Sequence, residues 1–271
     1  MMRNLARRLA LAAASLVCLG AAEAQAQDLE WLWQAQEEHY RGRVESGDVV
    51  TIRNVNGSIA ARAASGNELR VGATKEADDD DPSEVRIEIV EDDRGLVICA
   101  VYPTRRGREP NRCGRGDDYR MSFRNNDVKV HFTVEVPAGI ELEARTVNGS
   151  IRTEELSHDV KARTVNGSIT VESAGAVSAE TTNGTIDAQL TSQPANPSSF
   201  ETVNGRIRLV LPDAADANVS IRTVNGSIDT EFPLTIRGRW GPRSASGEVG
   251  DGGPEIALRT VNGSIALVRG G

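Results

Sequence analysis

Aromatic side chains are scarce in this sequence, which has three Trp, three Tyr and four Phe among 271 residues. The large indoles are Trp31, Trp33 and Trp240. A core with so few rings must be filled mainly by Val, Ile, Leu, Ala and Thr, several of which favour β-strands. We therefore predict an all-β protein with a narrow core and almost no helix.

Histidine is equally rare, and each of the three is expected to be an ordinary surface or strand residue. His39, His131 and His158 do not have the spacing of a metal motif. No G-x-S-x-G elbow occurs, and the serines that recur in the repeats described below lack the uniqueness of an active-site nucleophile. Glycoside hydrolysis requires a pair of carboxylates, but the acidic residues of this sequence are scattered. We predict no catalytic residue, no metal site and no cofactor.

Long apolar runs are absent beyond the N-terminus. The run "LALAAASLVCLGAA" follows the basic segment "MMRNLARR" and precedes the small-x-small sequence "AQA" at 24–26. This arrangement is typical of a secretory signal that is cleaved after Ala26. Cys18 lies within the run, but the residues before it do not form a lipobox. Residues 1–26 are therefore predicted to be a signal peptide that exports the chain to the periplasm or cell surface of a bacterium. No transmembrane segment is predicted in the mature chain.

Basic residues are in the minority. Removing Arg3, Arg7, Arg8 and Glu23 with the signal changes the net charge from −8 to −10, because 28 basic and 38 acidic residues remain. An acidic exported chain is a poor candidate for binding nucleic acid. We expect its partner to be an envelope or surface protein or a glycan.

Two cysteines, Cys99 and Cys113, remain in the mature chain. In an oxidising compartment such a pair is expected to form a disulfide. A metal pair and a redox site are the alternatives, but neither a CxxC spacing nor a nearby histidine cluster favours them. We predict a disulfide-bearing insertion around residues 99–120.

The main feature of the chain is a heptapeptide that occurs seven times. "RTVNGSI" stands at 145–151, 163–169, 222–228 and 259–265, with variants at 53–59, 180–186 and 201–207. Each copy contains an Asn-Gly pair, which we predict to be a structural corner. The pairs are Asn56-Gly57, Asn148-Gly149, Asn166-Gly167, Asn183-Gly184, Asn204-Gly205, Asn225-Gly226 and Asn262-Gly263.

The spacing of the copies is that of a β-solenoid. From Asn148 onward the asparagines are 18, 17, 21, 21 and 37 residues apart, and one rung of a solenoid is about 20 residues. The 92-residue interval before Asn148 is expected to hold several diverged rungs and an insertion. Apolar residues alternate with charged ones before each Asn, and an Ile follows three residues after it.

Two geometries fit an Asn-Gly pair between short strands: the tip of a hairpin and the corner of a rung. We favour the corner, because stacking of rungs explains why the copies are nearly identical. Strict alternation would turn the Thr two residues before Asn, and Asn itself, toward the core. The Val immediately before Asn would then point outward, but we expect the turn to bury it.

The residue three positions before each Asn is charged and points outward. If rungs stack in sequence order, Arg163 faces Glu180 and Glu201 faces Arg222. Such pairs are expected to fix the register of the stack more than its stability.

The solenoid is predicted to span 45–270 as one domain. Residues 27–44 would form an N-terminal arm, either a short helix or a cap. The open edges of the solenoid permit self-association unless this arm and the final "ALVRGG" cover them.

The segments "GDVVTIRNVNGSI", "VEVPAGIELEARTVNGSI" and "GEVGDGGPEIALRTVNGSIALV" resemble the bacterial "putative adhesin" family of unknown function, which has a toast-rack-like β-solenoid. The resemblance covers roughly 45–270. It implies an exported repetitive β-protein of the bacterial envelope, and it supplies no catalytic or ligand residues.

Three functional hypotheses follow. The first is a non-catalytic exported scaffold whose surface mediates adhesion or envelope interactions. The second is a periplasmic envelope-stress accessory protein, and the third is a carbohydrate-active β-helix enzyme. Two further motifs are interpreted as incidental: Arg115-Gly116-Asp117, a tripeptide that some ligands present to integrins, and the acidic run at 76–81, which lacks the spacing of a calcium loop.

Overall fold

The computed structural model of the chain describes residues 37–123, 125–193, 195–238 and 242–270. These residues form β-strands and two short 3₁₀ helices, Pro82–Glu84 and Gly116–Asp118. The strands are β1 (Glu37–Arg43), β2 (Val49–Arg53), β3 (Ile59–Ala63), β4 (Glu68–Glu76), β5 (Arg86–Asp92), β6 (Gly95–Val101), β7 (Lys129–Val136), β8 (Glu141–Arg145), β9 (Ile151–Leu156), β10 (Val160–Arg163), β11 (Ile169–Ser173), β12 (Val177–Asn183), β13 (Ile186–Leu190), β14 (Ser198–Asn204), β15 (Ile207–Pro212), β16 (Ala217–Asn225), β17 (Ile228–Thr230), β18 (Thr235–Arg237), β19 (Arg243–Val249), β20 (Glu255–Asn262) and β21 (Ile265–Gly270). The predicted all-β class is confirmed.

The strands lie in two sheets. Sheet A has the order β1-β4-β7-β3-β9-β11-β13-β15-β21-β17, and sheet B has the order β18-β19-β16-β20-β14-β12-β10-β8-β2-β6-β5. Each heptad connects a strand of sheet B to a strand of sheet A. The strands of one rung pair in parallel with the same strands of the next rung, as β10 does with β12 and β11 with β13. The heptads therefore lie at corners of rungs and not at the tips of hairpins.

The rungs do not stack in sequence order. Strand β20 lies between β14 and β16, and β21 lies between β15 and β17. Along the stack the corner asparagines follow the order Asn56, Asn148, Asn166, Asn183, Asn204, Asn262 and Asn225. The last heptad in sequence is thus the last but one in space. The final "ALVRGG" does not cap the stack, because β21 is an interior strand.

The long interval before Asn148 does not insert rungs between the first two heptads. Strands β2 and β3 pair directly with β8 and β9. On their other side they pair with β6 and β7, which form one further rung. The rest of the interval closes this end of the stack with antiparallel strands, β4 on sheet A and β5 on sheet B. The expectation of several diverged rungs is therefore wrong.

The described part of the N-terminal arm is a strand. Strand β1 pairs antiparallel with β4 at the edge of sheet A, so residues 37–40 are not helical. The remainder of the arm, the predicted signal peptide, Trp31, Trp33 and Trp240 lie outside the described residues. At the opposite end the edge strands β17 and β18 have three residues each, and short edge strands limit pairing with other chains.

The core is the layer between the two sheets, and aliphatic side chains of successive rungs line it in columns. Ile59, Ile151, Ile169, Ile186, Ile207 and Ile265 form one fully buried column on sheet A. Phe132 and Phe200 are among the few aromatic side chains buried in this core. The alternation in the sequence predicted this layer correctly, because the two faces of a strand differ in solvent exposure.

In the part of the chain that the structure describes, no helix is long and apolar enough to span a membrane.

Candidate interaction surface

The corner threonines point inward and join neighbouring rungs. Each of the six is at most 5% exposed, and its hydroxyl donates to the carbonyl oxygen of the corner glycine one rung earlier in the stack. The O···O distances are 2.9–3.1 Å for Thr146, Thr164, Thr181, Thr202, Thr260 and Thr223. The first rung has Asn54 instead, whose longer amide reaches the carbonyl oxygen of Val130 at 2.7 Å. At each of the seven corners a buried side chain at this position therefore donates to a backbone carbonyl oxygen of the neighbouring rung.

The corner glycines are required by the spacing of the rungs. A Cβ on Gly167, for example, would overlap the backbone carbonyl of Gly149 on the adjacent rung. Among the seven, only Gly57 and Gly263 have a positive φ. At most corners the role of glycine is therefore to permit close approach of two backbones and not to supply a positive φ.

The corner asparagines form a continuous ladder on the outside of the molecule. Each side-chain amide donates from Nδ2 to Oδ1 of the asparagine before it in the stack, with N···O distances of 2.8–2.9 Å. The six bonds run from Asn225 through Asn262, Asn204, Asn183, Asn166 and Asn148 to Asn56. All but Asn56 are exposed. The prediction that these side chains face the core is wrong, because the alternation of the strand ends at the corner.

The valines that precede the asparagines form a parallel apolar column. Val147, Val165, Val203, Val224 and Val261 are 38–42% exposed, so the expectation that the turn buries them is wrong. Thr182 occupies the equivalent position in the fourth rung and is also exposed. Val55 in the first rung is buried, at 7% exposure, and the insertion reaches this corner through Tyr102 and Asn126.

A charged column lies beside the valines on the outer face of sheet B. In stacking order it consists of Arg53, Arg145, Arg163, Glu180, Glu201, Arg259 and Arg222. Arg163 pairs with Glu180 at 3.1 Å, as predicted. Glu201 pairs with Arg259 at 2.9 Å and not with Arg222, because β20 lies between β14 and β16.

The N-terminal end of this face is covered by the insertion. The predicted disulfide between Cys99 and Cys113 is present. Arg53 lies under Tyr119, 4.5 Å from the ring centroid. Burial lowers the pKa of Arg53 and raises that of Tyr119. These residues belong to the closed end of the stack and not to the exposed columns.

Arg115 of the Arg-Gly-Asp tripeptide is committed to the fold. Its guanidinium donates to the carboxylate of Asp92 at 2.7 Å and to the carbonyl oxygen of Val49 at 3.0 Å. The hydrogen bond from Arg115 lowers the pKa of Asp92. The arginine side chain is 11% exposed, so it is not presented to a partner.

The acidic run is a loop organised around Asp127. The Asp127 carboxylate accepts backbone N–H bonds from Asp78, Asp79 and Asp80 at 2.8–3.1 Å, and these bonds lower its pKa. Within the described ranges no group of His, Cys, Asp and Glu has the arrangement of a metal site.

A shallow groove of about 440 Å³ lies on the outer face of sheet A. It is lined by polar and charged residues that include Arg62, Arg152, Glu154 and Glu172, and none of the lining residues is aromatic. Glu155 at its edge has a φ of 53°, where β9 bulges against β11. Polysaccharide-binding grooves commonly use aromatic rings as stacking platforms, and this groove has none.

Sequence reasoning missed one arrangement. The hydroxyl of Ser58 lies 2.8 Å from Nδ1 of His131, and Nε2 of His131 lies 3.3 Å from a carboxylate oxygen of Glu76. Ser58 was not considered a nucleophile because a serine recurs at the same position of several heptads. No local sequence motif links residues 58, 76 and 131. Strand pairing of β3 and β4 with β7 brings these three residues together.

The chain matches a family model, and two solved structures are similar to it at low sequence identity. The family model described as "Toastrack DUF4097" matches residues 120–268. A "putative cell adhesion protein" from Clostridium sporogenes is 12% identical, covers 87% of this chain and 100% of its own, and has a TM-score of 0.45. A "putative adhesin" from Bacteroides fragilis is 10% identical, with coverages of 85% and 95% and a TM-score of 0.31. No curated protein matches the chain.

Proposed function

Because the chain belongs to the Toastrack DUF4097 family, we propose that it is an exported, non-catalytic repeat protein that binds an envelope or cell-surface partner through the exposed rim of sheet B. The valine column is the observation that carries this proposal. Its five exposed side chains span five rung intervals, or about 24 Å at the usual strand spacing. An exposed apolar column of this kind, interrupted at Thr182, is typical of an interaction surface.

The neighbouring columns suit a protein partner. The asparagine ladder offers amide groups on one side of the valines, and the charged column offers arginine and glutamate on the other. Apolar contacts with a polar and charged border are the usual composition of a protein interface. A glycan and a second copy of this chain are the other occupants to be tested.

The binding test uses the mature protein with Val203 and Val261 both changed to Asp. These residues are adjacent in the stack and 40–41% exposed, so the free energy of unfolding should change by less than about 0.5 kcal/mol. Retention by envelope fractions should fall at least about tenfold, since charges would replace the apolar contact. The matched control is Ile89→Asp, which is equally exposed at 38% but lies on β5.

Binding to purified peptidoglycan, to glycans and to the protein itself is measured in parallel. Equal retention of the wild type, the valine variant and the Ile89 variant would contradict the proposal. Cleavage after Ala26, checked by sequencing the N-terminus of the exported protein, tests its export. Association with an envelope sensor in particular would favour the envelope-stress accessory function.

A hydrolase is the second candidate, and the Ser58–His131–Glu76 contacts are the observation that favours it. A serine hydroxyl on a histidine that also contacts a carboxylate has the connectivity of a nucleophilic relay. We rank it second because Nδ1 of His131 also accepts the backbone N–H of Ser58 at 3.3 Å. The groove of sheet A is lined by other residues. Hydrolysis of simple esters by the wild type that disappears in Ser58→Ala would establish this function; no turnover by either protein would exclude it for those substrates.

A further inference from the structure

The last heptad of the stack differs from the other six at its corner. In those six the corner glycine N–H donates to the carbonyl oxygen of the next asparagine in the stack, at N···O distances of 2.8–3.1 Å. The donors are Gly57, Gly149, Gly167, Gly184, Gly205 and Gly263. Within the described ranges the N–H of Gly226 reaches no acceptor, because no heptad follows it.

The side chain of Asn225 is also less constrained than its counterparts. Each of the other six asparagines both donates from Nδ2 and accepts at Oδ1. Asn225 donates to Asn262 at 2.9 Å, but no donor among the described residues reaches its Oδ1. Strand β19 pairs with β16 only as far as Thr223, so this pairing does not extend over the corner.

We propose that Asn225 is a site of spontaneous deamidation, distinct in rate from the six other Asn-Gly pairs. The backbone nitrogen of Gly226 attacks Cγ of Asn225, and a new N–Cγ bond closes a five-membered imide. The Cγ–Nδ2 bond breaks, and ammonia leaves with the proton that the Gly226 nitrogen has lost. Water then opens the imide at either carbonyl, giving aspartate or isoaspartate without any change of oxidation state.

The stack controls this reaction through the number of hydrogen bonds that must break. At an interior corner, the reacting asparagine must lose one bond at Nδ2 and one at Oδ1, and the glycine nitrogen must lose its bond to the next rung. At Asn225 only the bond from Nδ2 to Asn262 is lost. Two fewer bonds of ordinary net strength correspond to a rate about tenfold to a hundredfold higher.

The sequence supplies its own matched controls. Asn148, Asn166, Asn225 and Asn262 lie in the identical heptapeptide RTVNGSI, so differences among them cannot arise from local sequence. Cleavage after arginine places the four sites in different peptides, because the residues that follow the heptads differ. The mature, folded protein is aged at mildly alkaline pH, and each peptide is fragmented in the mass spectrometer to locate the mass gain of deamidation. Fragmentation is needed because the peptide that contains Asn166 also contains Asn183 and Asn204.

The expected result is conversion of Asn225 at least about tenfold faster than that of the other three sites. In denaturant all four should react at similar rates. Conversion of Asn225 at the interior rate, or a rate order that denaturant does not abolish, would overturn the proposal.

A second variant tests the mechanism. Asn225→Ala removes the amide that bonds Oδ1 of Asn262, but leaves the bond from the Gly263 nitrogen to the backbone of residue 225. Deamidation of Asn262 should therefore rise by a few-fold, to a rate between those of the interior and terminal sites. An unchanged rate at Asn262 would show that the ladder does not protect its members.

Discussion

Replacing Gly184 with alanine should lower the free energy of unfolding by about 3 kcal/mol or more. A Cβ at this position overlaps the carbonyl oxygen and carbon of Gly167. Both are backbone atoms, so no side-chain rotation relieves the contact. The two rungs must separate instead, which weakens the bond from Thr181 to the Gly167 carbonyl oxygen, now 3.0 Å long. Denaturant unfolding of the mature protein measures the loss.

The control for this variant is Gly66→Ala. Gly66 has no atom within 4 Å of an added Cβ and its φ is not positive. Its replacement should change the free energy of unfolding by no more than about 0.5 kcal/mol. Since the φ of Gly184 is not positive either, a large difference between the two variants reports the spacing of the rungs rather than backbone conformation. Equal stability would show that the stack tolerates wider spacing.

Removing the disulfide should be the next most damaging change. Cys99 and Cys113 are 14 residues apart in sequence, and closing a loop of that size contributes about 3 kcal/mol on the chain-entropy description. Changing both to alanine should cost about this amount. Proteolysis within the segment 104–120 should also become faster, because the link from this segment to β6 is lost.

Reduction of the wild-type protein should reproduce the behaviour of the double variant. Binding through Val203 and Val261 should persist in both. These valines are on β14 and β20, whereas the disulfide is attached to β6 near the opposite end of sheet B. Loss of that binding would show that the closed end shapes the whole rim. A double variant as stable as the wild type would mean that the loop is ordered without the bond.

The layered fold could be predicted from the sequence because alternation and repetition are local signals. Apolar residues four positions before each Asn and the Ile three positions after it predicted two buried strands joined by a corner. The Thr two positions before Asn, present in six of the seven heptads, was correctly placed in the core. The order of the rungs could not be predicted, because Asn225 and Asn262 lie in identical heptads and nothing in them decides which one follows Asn204.

The orientation of side chains at the corner was missed for a different reason. Alternation predicts directions only where a strand is regular. Strands β8 and β10 end before the Val, and in β12, β14, β16 and β20 the pairing omits the residue before the Asn, so both that residue and the Asn face solvent. The contacts among Ser58, Glu76 and His131 were beyond reach because they depend on strand pairing between segments far apart in sequence.

The asparagine ladder has a net dipole along the stack. All seven amide dipoles point the same way, as the peptide dipoles of a helix do, so their partial charges accumulate at the two ends. The positive end is at Asn56, whose Nδ2 donates to the carbonyl oxygen of Asn126. The negative end is Oδ1 of Asn225. A cation is therefore favoured beside Asn225. A carboxylate formed there by deamidation would be disfavoured by the negative potential at this end of the ladder.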